Sequence, residues 1–188
     1  MKKIKVKVSA RHIHLSLKDL KALFGPDYKL KKLKSLSQPQ DFAALETVKI
    51  RNKDKFIEKV RVVGPTRKNT QLELSMTDCF RLGIRPELRL SGDIKGSPGL
   101  NISGPFGSIN LKQGAIVAKR HIHASPAEAK ELKLKDKSIV SVIIKGKRSL
   151  TFNNVIVRVS DNYRLCMHID TDEGNAAGIN KTSFGFIL

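Results

Sequence analysis

A chain of 188 residues with 40% hydrophobic residues is long enough to bury a core without staples, and two cysteines, Cys79 and Cys166, are too few for a disulfide framework. The formal charge of +19 is mostly lysine and is spread along the whole chain, while aromatic residues make up only 5% and tryptophan is absent. That distribution argues against nucleic acid as the main partner, because stacking platforms are scarce and no basic tail or stripe is present; attraction of small polyanions fits it better.

The N-terminal Met-Lys-Lys-Ile-Lys-Val-Lys-Val-Ser-Ala segment alternates basic and apolar residues as a strand does and lacks the continuous apolar stretch of a signal peptide. No apolar run approaches a membrane span. The chain is therefore expected to be cytoplasmic and to begin directly at its first strand. The segment Val8-Ser-Ala-Arg-His-Ile-His-Leu-Ser16 follows, and it returns as Val117-Ala-Lys-Arg-His-Ile-His-Ala-Ser125. A strand precedes each copy and a helix start follows it. Ser16 with Asp19 resembles a capping box; Ser125 with Glu128 is the standard form, with Pro126 at the first helical position. The first helix is expected to run to Phe24 and stop at Gly25. Gly25–Gln40, with its lysine cluster, reads as an irregular connection.

Between the copies the expected strands are Glu46–Ile50, Phe56–Val63, Gln71–Ser75, Leu88–Ser91 and Leu100–Ser103. After the second helix come Ile139–Ile144, Val155–Val159 and Leu165–Ile169. Many short strands at this spacing predict a mainly β protein built as two small barrels with short capping α-helices, related by the internal repeat.

All five histidines fall in or near these motifs: His12, His14, His121, His123 and His168. In a strand, residues i and i+2 share a face, so each His-x-His pair aims two imidazoles at one point. Two such pairs and a fifth histidine point to transition-metal ligation, with zinc favoured. A closed four-histidine site leaves no place for substrate. Two open sites need one further ligand each: His168 can supply one and a carboxylate the other, with Glu73 well placed but spacing alone not separating it from Glu58 or Asp170.

The ordered series Arg11-His-Ile-His-Leu-Ser16, Val62-Val-Gly-Pro-Thr-Arg67, Thr70-Gln-Leu-Glu-Leu-Ser75, Ser91-Gly, Ser97-Pro-Gly, Ser103-Gly-Pro, Arg120-His-Ile-His and His168-Ile-Asp-Thr-Asp-Glu-Gly-Asn-Ala-Ala177 resembles the PduL-type phosphotransacylases. These are the phosphate propanoyltransferases of propanediol use and their acetate-forming relatives. The resemblance runs from Val8 to about Ala177. It implies two interleaved β-barrels, with the first strand joining the C-terminal half. The expected domains are 1–36 plus 112–188, and 37–111, with the active site at their interface. It implies two zinc ions per chain, one on His12, His14 and Glu73 and one on His121, His123 and His168. Arg67 takes the place of the arginine that holds phosphate, and Val8, Ser9, Ala10, Arg61 and Asn175 fall where the family contacts coenzyme A. Ala124 and Gly174 depart from the residues expected there. The N-terminal extension of microcompartment-targeted members is not expected here. A homo-oligomer is compatible with the resemblance.

The implied activity is reversible conversion of a short-chain acyl-CoA (propanoyl-CoA or acetyl-CoA) and inorganic phosphate to acyl-phosphate and free coenzyme A. Direct attack by phosphate is favoured, because no Ser-His or Cys-His pair remains once the histidines are ligands. A zinc thioesterase using water is the competing enzyme class, and a basic nucleic-acid-binding module with structural zinc the competing binding class. Arg11 and Arg120 are expected to form structural salt bridges. Asp170, Asp172 and Glu173 are read either as partners that orient imidazoles or as ordinary loop acids, and Cys166 as a buried inert thiol.

Overall fold

The computed structural model describes Met1–Leu188. The alternating N-terminal segment forms β1 (Lys2–Val8), whose Ile4 and Val6 are buried while Lys3 and Lys5 face solvent. Next come β2 (His12–His14), α1 (Leu17–Phe24), β3 (Lys32–Ser35), β4 (Phe42–Asn52), β5 (Lys55–Gly64) and β6 (Gln71–Glu73). They are followed by α2 (Met76–Leu82), β7 (Leu88–Arg89), β8 (Leu100–Ser103), β9 (Ser108–Leu111), β10 (Ala115–Ala118) and β11 (His121–Ala124). The last elements are α3 (Pro126–Glu131), β12 (Ile139–Ile144), β13 (Leu150–Val159), β14 (Cys166–Ile169), α4 (Thr171–Ala177) and β15 (Thr182–Ile187). The protein is mainly β, as expected.

Contacts divide the chain into two units. One comprises Met1–Ala10, Ser37–Pro39 and Lys119–Leu188; the other comprises Arg11–Leu36 and Gln40–Ala118. The domain boundaries expected from the sequence grouped residues 11–36 with the first unit and began the C-terminal part at 112. In the structure β2 hydrogen-bonds to β5 and β6, and β10 to β6 and β7, which ties both segments to the second unit.

The first unit is a closed barrel in the order β1-β14-β11-β13-β12-β15, with β15 returning to β1. Its core holds Ile4, Val6, Ile122, Val142, Phe152 and Met167. The second unit is a nine-stranded sheet forming a half-barrel, β7-β10-β6-β2-β5-β4-β8-β9, with β3 on β4. Ile13, Leu23, Ile50, Val62, Leu72 and Ile102 fill its core.

The internal repeat extends well beyond the histidine motifs. The order β1-β14-β11-β13-β12 in the barrel is matched by β10-β6-β2-β5-β4 in the other sheet. Directions agree pair by pair. β11 runs antiparallel to β14 and parallel to β13, and β2 runs antiparallel to β6 and parallel to β5. β1 and β10 each lie parallel to the corresponding outer strand. Consequently the strand ahead of each His-Ile-His motif joins the sheet that holds the other motif, and the two modules are interleaved along the chain.

The helix starts follow their capping chemistry. Ser125 and Glu128 form the expected reciprocal box, with Pro126 inside the start. At α1, Ser16 accepts from the Asp19 N–H, but the return bond is relayed: the Ser16 N–H donates to Thr70 Oγ1, and that hydroxyl donates to Asp19. Gly25 ends α1 with φ of 115°, a conformation that side-chain-bearing residues rarely adopt.

Five elements lie outside the sequence expectations: β3, α2, β9, α4 and β15. β3 occupies part of the stretch read as irregular, and all four of its residues are exposed. The expected strand Gln71–Ser75 ends at Glu73, because Ser75 is the N-cap of α2.

Candidate metal centres

The His-Ile-His strands do what their alternation demands. Ile13 and Ile122 are fully buried in opposite cores, and the flanking histidines share the other face. The ring centroids of His12 and His14 are 5.0 Å apart, and those of His121 and His123 are 4.6 Å apart.

In the second unit, β6 runs antiparallel beside β2 with Glu73 directly opposite His12. Glu73 Oε2 lies 3.6 Å from His12 Nε2, and Oε1 lies 4.0 Å from His14 Nε2. One ligand atom from each of the three residues lies within 4.8 Å of the others. Donors held about 2.0–2.1 Å from a tetrahedral zinc stand about 3.3 Å from each other, so small side-chain adjustments suffice. Glu58 and Asp170 are not in this group.

Protonation also suits a metal. His14 Nδ1 lies 3.2 Å from the Val63 carbonyl. A carbonyl can only accept, so Nδ1 carries the proton and Nε2 keeps its lone pair for the site. Burial holds the His14 imidazole well below its usual pKa; His12 and Arg67 push the same way, while Glu73 and the Val63 carbonyl oppose them. The ring is thus neutral at pH 7, the form that ligates, and its contact with Glu73 is not an ion pair.

Glu73 is itself oriented. Its Oε1 accepts from Gln71 Nε2 at 2.7 Å and from the Ser91 hydroxyl at 2.9 Å, and Gln71 Oε1 accepts from the Gly92 N–H at 2.7 Å. Arg67 Nη1 donates to Ser91 Oγ at 3.4 Å, so the guanidinium joins this network one side chain away from the carboxylate. The backbone holds Arg67 in place: its N–H donates to the Leu15 carbonyl, and it bridges to Ser16 in parallel fashion. It leaves β5 through the Gly64-Pro65 turn, where a Cβ on Gly64 would lie 2.3 Å from the Phe42 ring. Asp41 belongs to the same neighbourhood. Burial raises its carboxyl pKa against the pull of Arg67 and His12.

In the first unit, β14 runs antiparallel beside β11 with His168 directly opposite His121. The His168 ring lies 5.4 Å from that of His121 and 5.3 Å from that of His123. Tyr163 stacks on His123 at 3.9 Å. His121 Nδ1 lies 2.8 Å from the Lys119 carbonyl, which again leaves Nε2 as the lone-pair nitrogen. Gln38 inserts its buried amide here. Its Oε1 accepts from the Arg164 N–H at 3.0 Å, its Nε2 donates to the Arg164 carbonyl at 3.2 Å, and the same Nε2 lies 3.4 Å from His168 Nε2. The paired bonds to Arg164 fix the amide's orientation, so His168 Nε2 is an acceptor. That lone pair is engaged by the Gln38 amide, and these three rings are close by their centroids without the convergence of ligand atoms that His12, His14 and Glu73 show. Imidazole is nonetheless a donor type that zinc takes.

The residues expected at coenzyme A divide between the units. Val8, Ser9, Ala10 and Asn175 lie in the first and Arg61 in the second. Val8 lies against Gly174, where a Cβ would come within 2.7 Å of Val8 Cγ2, and Asn175 is the next residue, exposed on α4. Arg61 sits opposite His12 and donates from Nη1 to the carbonyls of Ala44 and Leu45. Arg11 and Arg120 form the expected salt bridges, with Asp78 and Glu173. Asp170 caps α4, with Glu173 completing its box.

Gln71, Ser91, Asp41 and Gln38 are the residues that site reasoning from the sequence did not single out. Gln71 and Ser91 lie inside motifs that carried the family resemblance; Gln38 and Asp41 carried no signal.

A model of the family described as phosphate propanoyltransferase matches residues 5–180. The phosphate propanoyltransferase of Thermotoga maritima is 50% identical, across 97% of this chain and 88% of its own. Those of Clostridioides difficile (44% identical, 98% of this chain, 88% of the relative) and Salmonella typhimurium (47%, 93% and 83%) are similar over nearly the same extent.

Proposed function

The chain belongs to the phosphate propanoyltransferase family of acyltransferases, and from that premise we propose that it is a two-zinc phosphotransacylase converting propanoyl-CoA or acetyl-CoA and phosphate reversibly to acyl-phosphate and coenzyme A. The observation that carries the metal part is the convergence of His12, His14 and Glu73 within 4.8 Å, joined through Ser91 to Arg67.

His12, His14 and Glu73 would hold one zinc, and His121, His123 and His168 the other. Bound there, zinc supplies Lewis acidity for a thioester carbonyl and a soft partner for sulfur. Arg67 binds the phosphate, its planar fork matching two oxygens and offsetting their charge as the nucleophile nears the thioester. A phosphate oxygen bonds to the carbonyl carbon, the carbon–sulfur bond breaks, and coenzyme A departs as thiolate. Val8, Ser9, Ala10, Arg61 and Asn175 receive coenzyme A. Arg61 offers the guanidinium N–H groups not already turned to Ala44 and Leu45. Lysines across the surface draw both anions toward the protein.

Both cysteines are buried free thiols, which suits a reducing, cytoplasmic setting. No helix is long and apolar enough to cross a membrane.

The test is acyl-phosphate formation from acetyl-, propanoyl- and butanoyl-CoA, run with and without phosphate alongside metal analysis. Transfer that requires phosphate, in protein carrying two zinc ions, is expected. Coenzyme A release at the same rate without phosphate would make it a thioesterase.

A further inference from the structure

The repeat carries a second matched pair that the reaction does not explain. Arg11 immediately precedes the first histidine of β2, and its Nε and Nη2 both lie 2.8 Å from Asp78 Oδ1. Arg120 immediately precedes the first histidine of β11, and its Nε lies 2.7 Å from Glu173 Oε1. Asp78 stands five residues after Glu73, and Glu173 stands five residues after His168. Each acid is the third residue of its helix and closes a capping box, with Ser75 at α2 and with Asp170 at α4.

Around this pair the two halves have diverged. Leu15 corresponds to Ala124, and Gln71, opposite His14, corresponds to Cys166, opposite His123. Even the third ligand differs, Glu73 against His168. Burial differs too: the Asp78 side chain is 3% exposed and that of Glu173 17%. The ion pair nonetheless keeps its place in both halves, with Asp78 in one and Glu173 in the other. The shared element is positional: an arginine one residue before the first ligand, and an acid one helix turn beyond the cap that follows the third.

We propose that Arg11 and Arg120 are positioning residues for the two metal triads, each fastening its His-Ile-His strand to the helix that anchors the third ligand. The inference rests on the zinc reading above. β6 and β14 are only three and four residues long, so the ladder alone constrains them weakly along their own axis. The capping box makes ligand strand and helix one rigid piece. The arginine then fixes that piece against the strand bearing the two histidines, at the level where His12 faces Glu73 and His121 faces His168. Partners that orient metal ligands from outside typically change affinity 10–100-fold when removed.

Zinc affinity is measured by competition with a chromophoric chelator, in backgrounds that isolate one triad: His12→Ala leaves the His121 triad and His121→Ala leaves the His12 triad. Arg120→Ala is expected to weaken zinc about 10–100-fold in the first background and to leave the second unchanged; Arg11→Ala should do the reverse. Glu173→Gln, which keeps an acceptor for the Asp170 N–H and removes only the charge, should reproduce Arg120→Ala, and Arg120→Lys should recover part. Should an alanine variant fail to fold, Glu173→Gln and Arg120→Lys decide the same question. Equal loss at both triads, or no loss at either in protein that binds two zinc ions, overturns the clamp and leaves the metal reading standing. A wild-type protein that binds no zinc overturns both.

Discussion

Glu73 and His168 stand at equivalent points of the two sheets, each directly across an antiparallel ladder from the first histidine of a His-Ile-His strand. One triad is therefore two imidazoles and a carboxylate, the other three imidazoles. With zinc in place the first would carry one positive charge and the second two. A duplicated frame has kept two histidines and varied the third residue, so with metal bound the two centres would differ in their pull on anions.

The first prediction follows from that separation. Wild-type protein should bind two zinc ions per chain. His12→Ala and Glu73→Ala should each lose one and retain the other, and His121→Ala should lose the complementary one. Metal content of purified variants, checked beside thermal stability because metal loss also loosens the surrounding fold, decides it. Saturation at one metal in the wild type, or loss of both in His12→Ala, contradicts two independent centres.

Cys166 shares the face of β14 that carries His168, and its chemistry can be predicted from burial. Desolvation pushes its thiol up to about 11, against the pull of Lys7 and Lys5. At pH 8 about one thiol in a thousand is ionised, so alkylating reagents should leave Cys166 untouched until the protein unfolds. A pKa raised above the ordinary thiol value means that folding favours the protonated form. The stabilisation is complete below pH about 9 and is lost as pH rises toward 11, a change of about 2–3 kcal/mol. Denaturant titrations of wild type and Cys166→Ala across that range should diverge accordingly. Rapid labelling of native protein at pH 8 would contradict this account.

Gln38 yields the third prediction. Its amide makes two bonds to the Arg164 backbone and touches His168. Gln38→Ala removes them and leaves the Arg164 groups to find other partners, at a cost of about 1–3 kcal/mol. Gln38→Glu should be no better, since a carboxylate oxygen would then face the Arg164 carbonyl. Both variants should lower thermal stability, but because the Gln38 N–H engages the His168 Nε2 lone pair, neither should weaken zinc at the His168 triad, and both should spare the His12 triad. Thermal stability and site-resolved zinc titration read the outcome; unchanged stability, or weaker zinc at the His168 triad, contradicts this account.

These residues also mark where the sequence was legible. Period-2 alternation placed Ile13 and Ile122 in the cores with histidines opposite, and Ser125 with Glu128 announced α3, because both signals act within a few residues. Glu73 needed the resemblance, since spacing did not exclude Glu58 or Asp170; strand register separates them. α4 contains Gly174, a poor helix former, which hides it, whereas α2 carried a readable cap signal in Ser75 with Asp78, the same pattern as Ser16 with Asp19. β3 buries nothing, so it leaves no apolar pattern. Gln38 meets partners 126 and 130 residues away, beyond any local signal. The exchange of β1 and β10 between the sheets is likewise a long-range property.

Arg67 provides the test that separates a transferase from a hydrolase. Its backbone is fixed by Leu15 and Ser16, and its guanidinium reaches Ser91 beside Glu73. If it holds the nucleophilic phosphate, Arg67→Ala should weaken phosphate saturation and slow transfer while zinc content and coenzyme A binding stay near normal. Removing one partner of a desolvated charged pair costs about 2–5 kcal/mol, so kcat/KM for phosphate should fall at least about tenfold. Arg67→Lys should recover only part, because an ammonium keeps the charge but lacks the planar two-donor fork. An arginine serving only the Ser91 network would behave otherwise: Ser91→Ala would then match Arg67→Ala, both through Glu73 and zinc content. Initial rates against phosphate at saturating acyl-CoA, with zinc measured in the same samples, distinguish the two. Unchanged phosphate kinetics in fully metallated Arg67→Ala would remove the phosphate-binding role, and with it the strongest residue-level reason for preferring phosphate over water as the nucleophile.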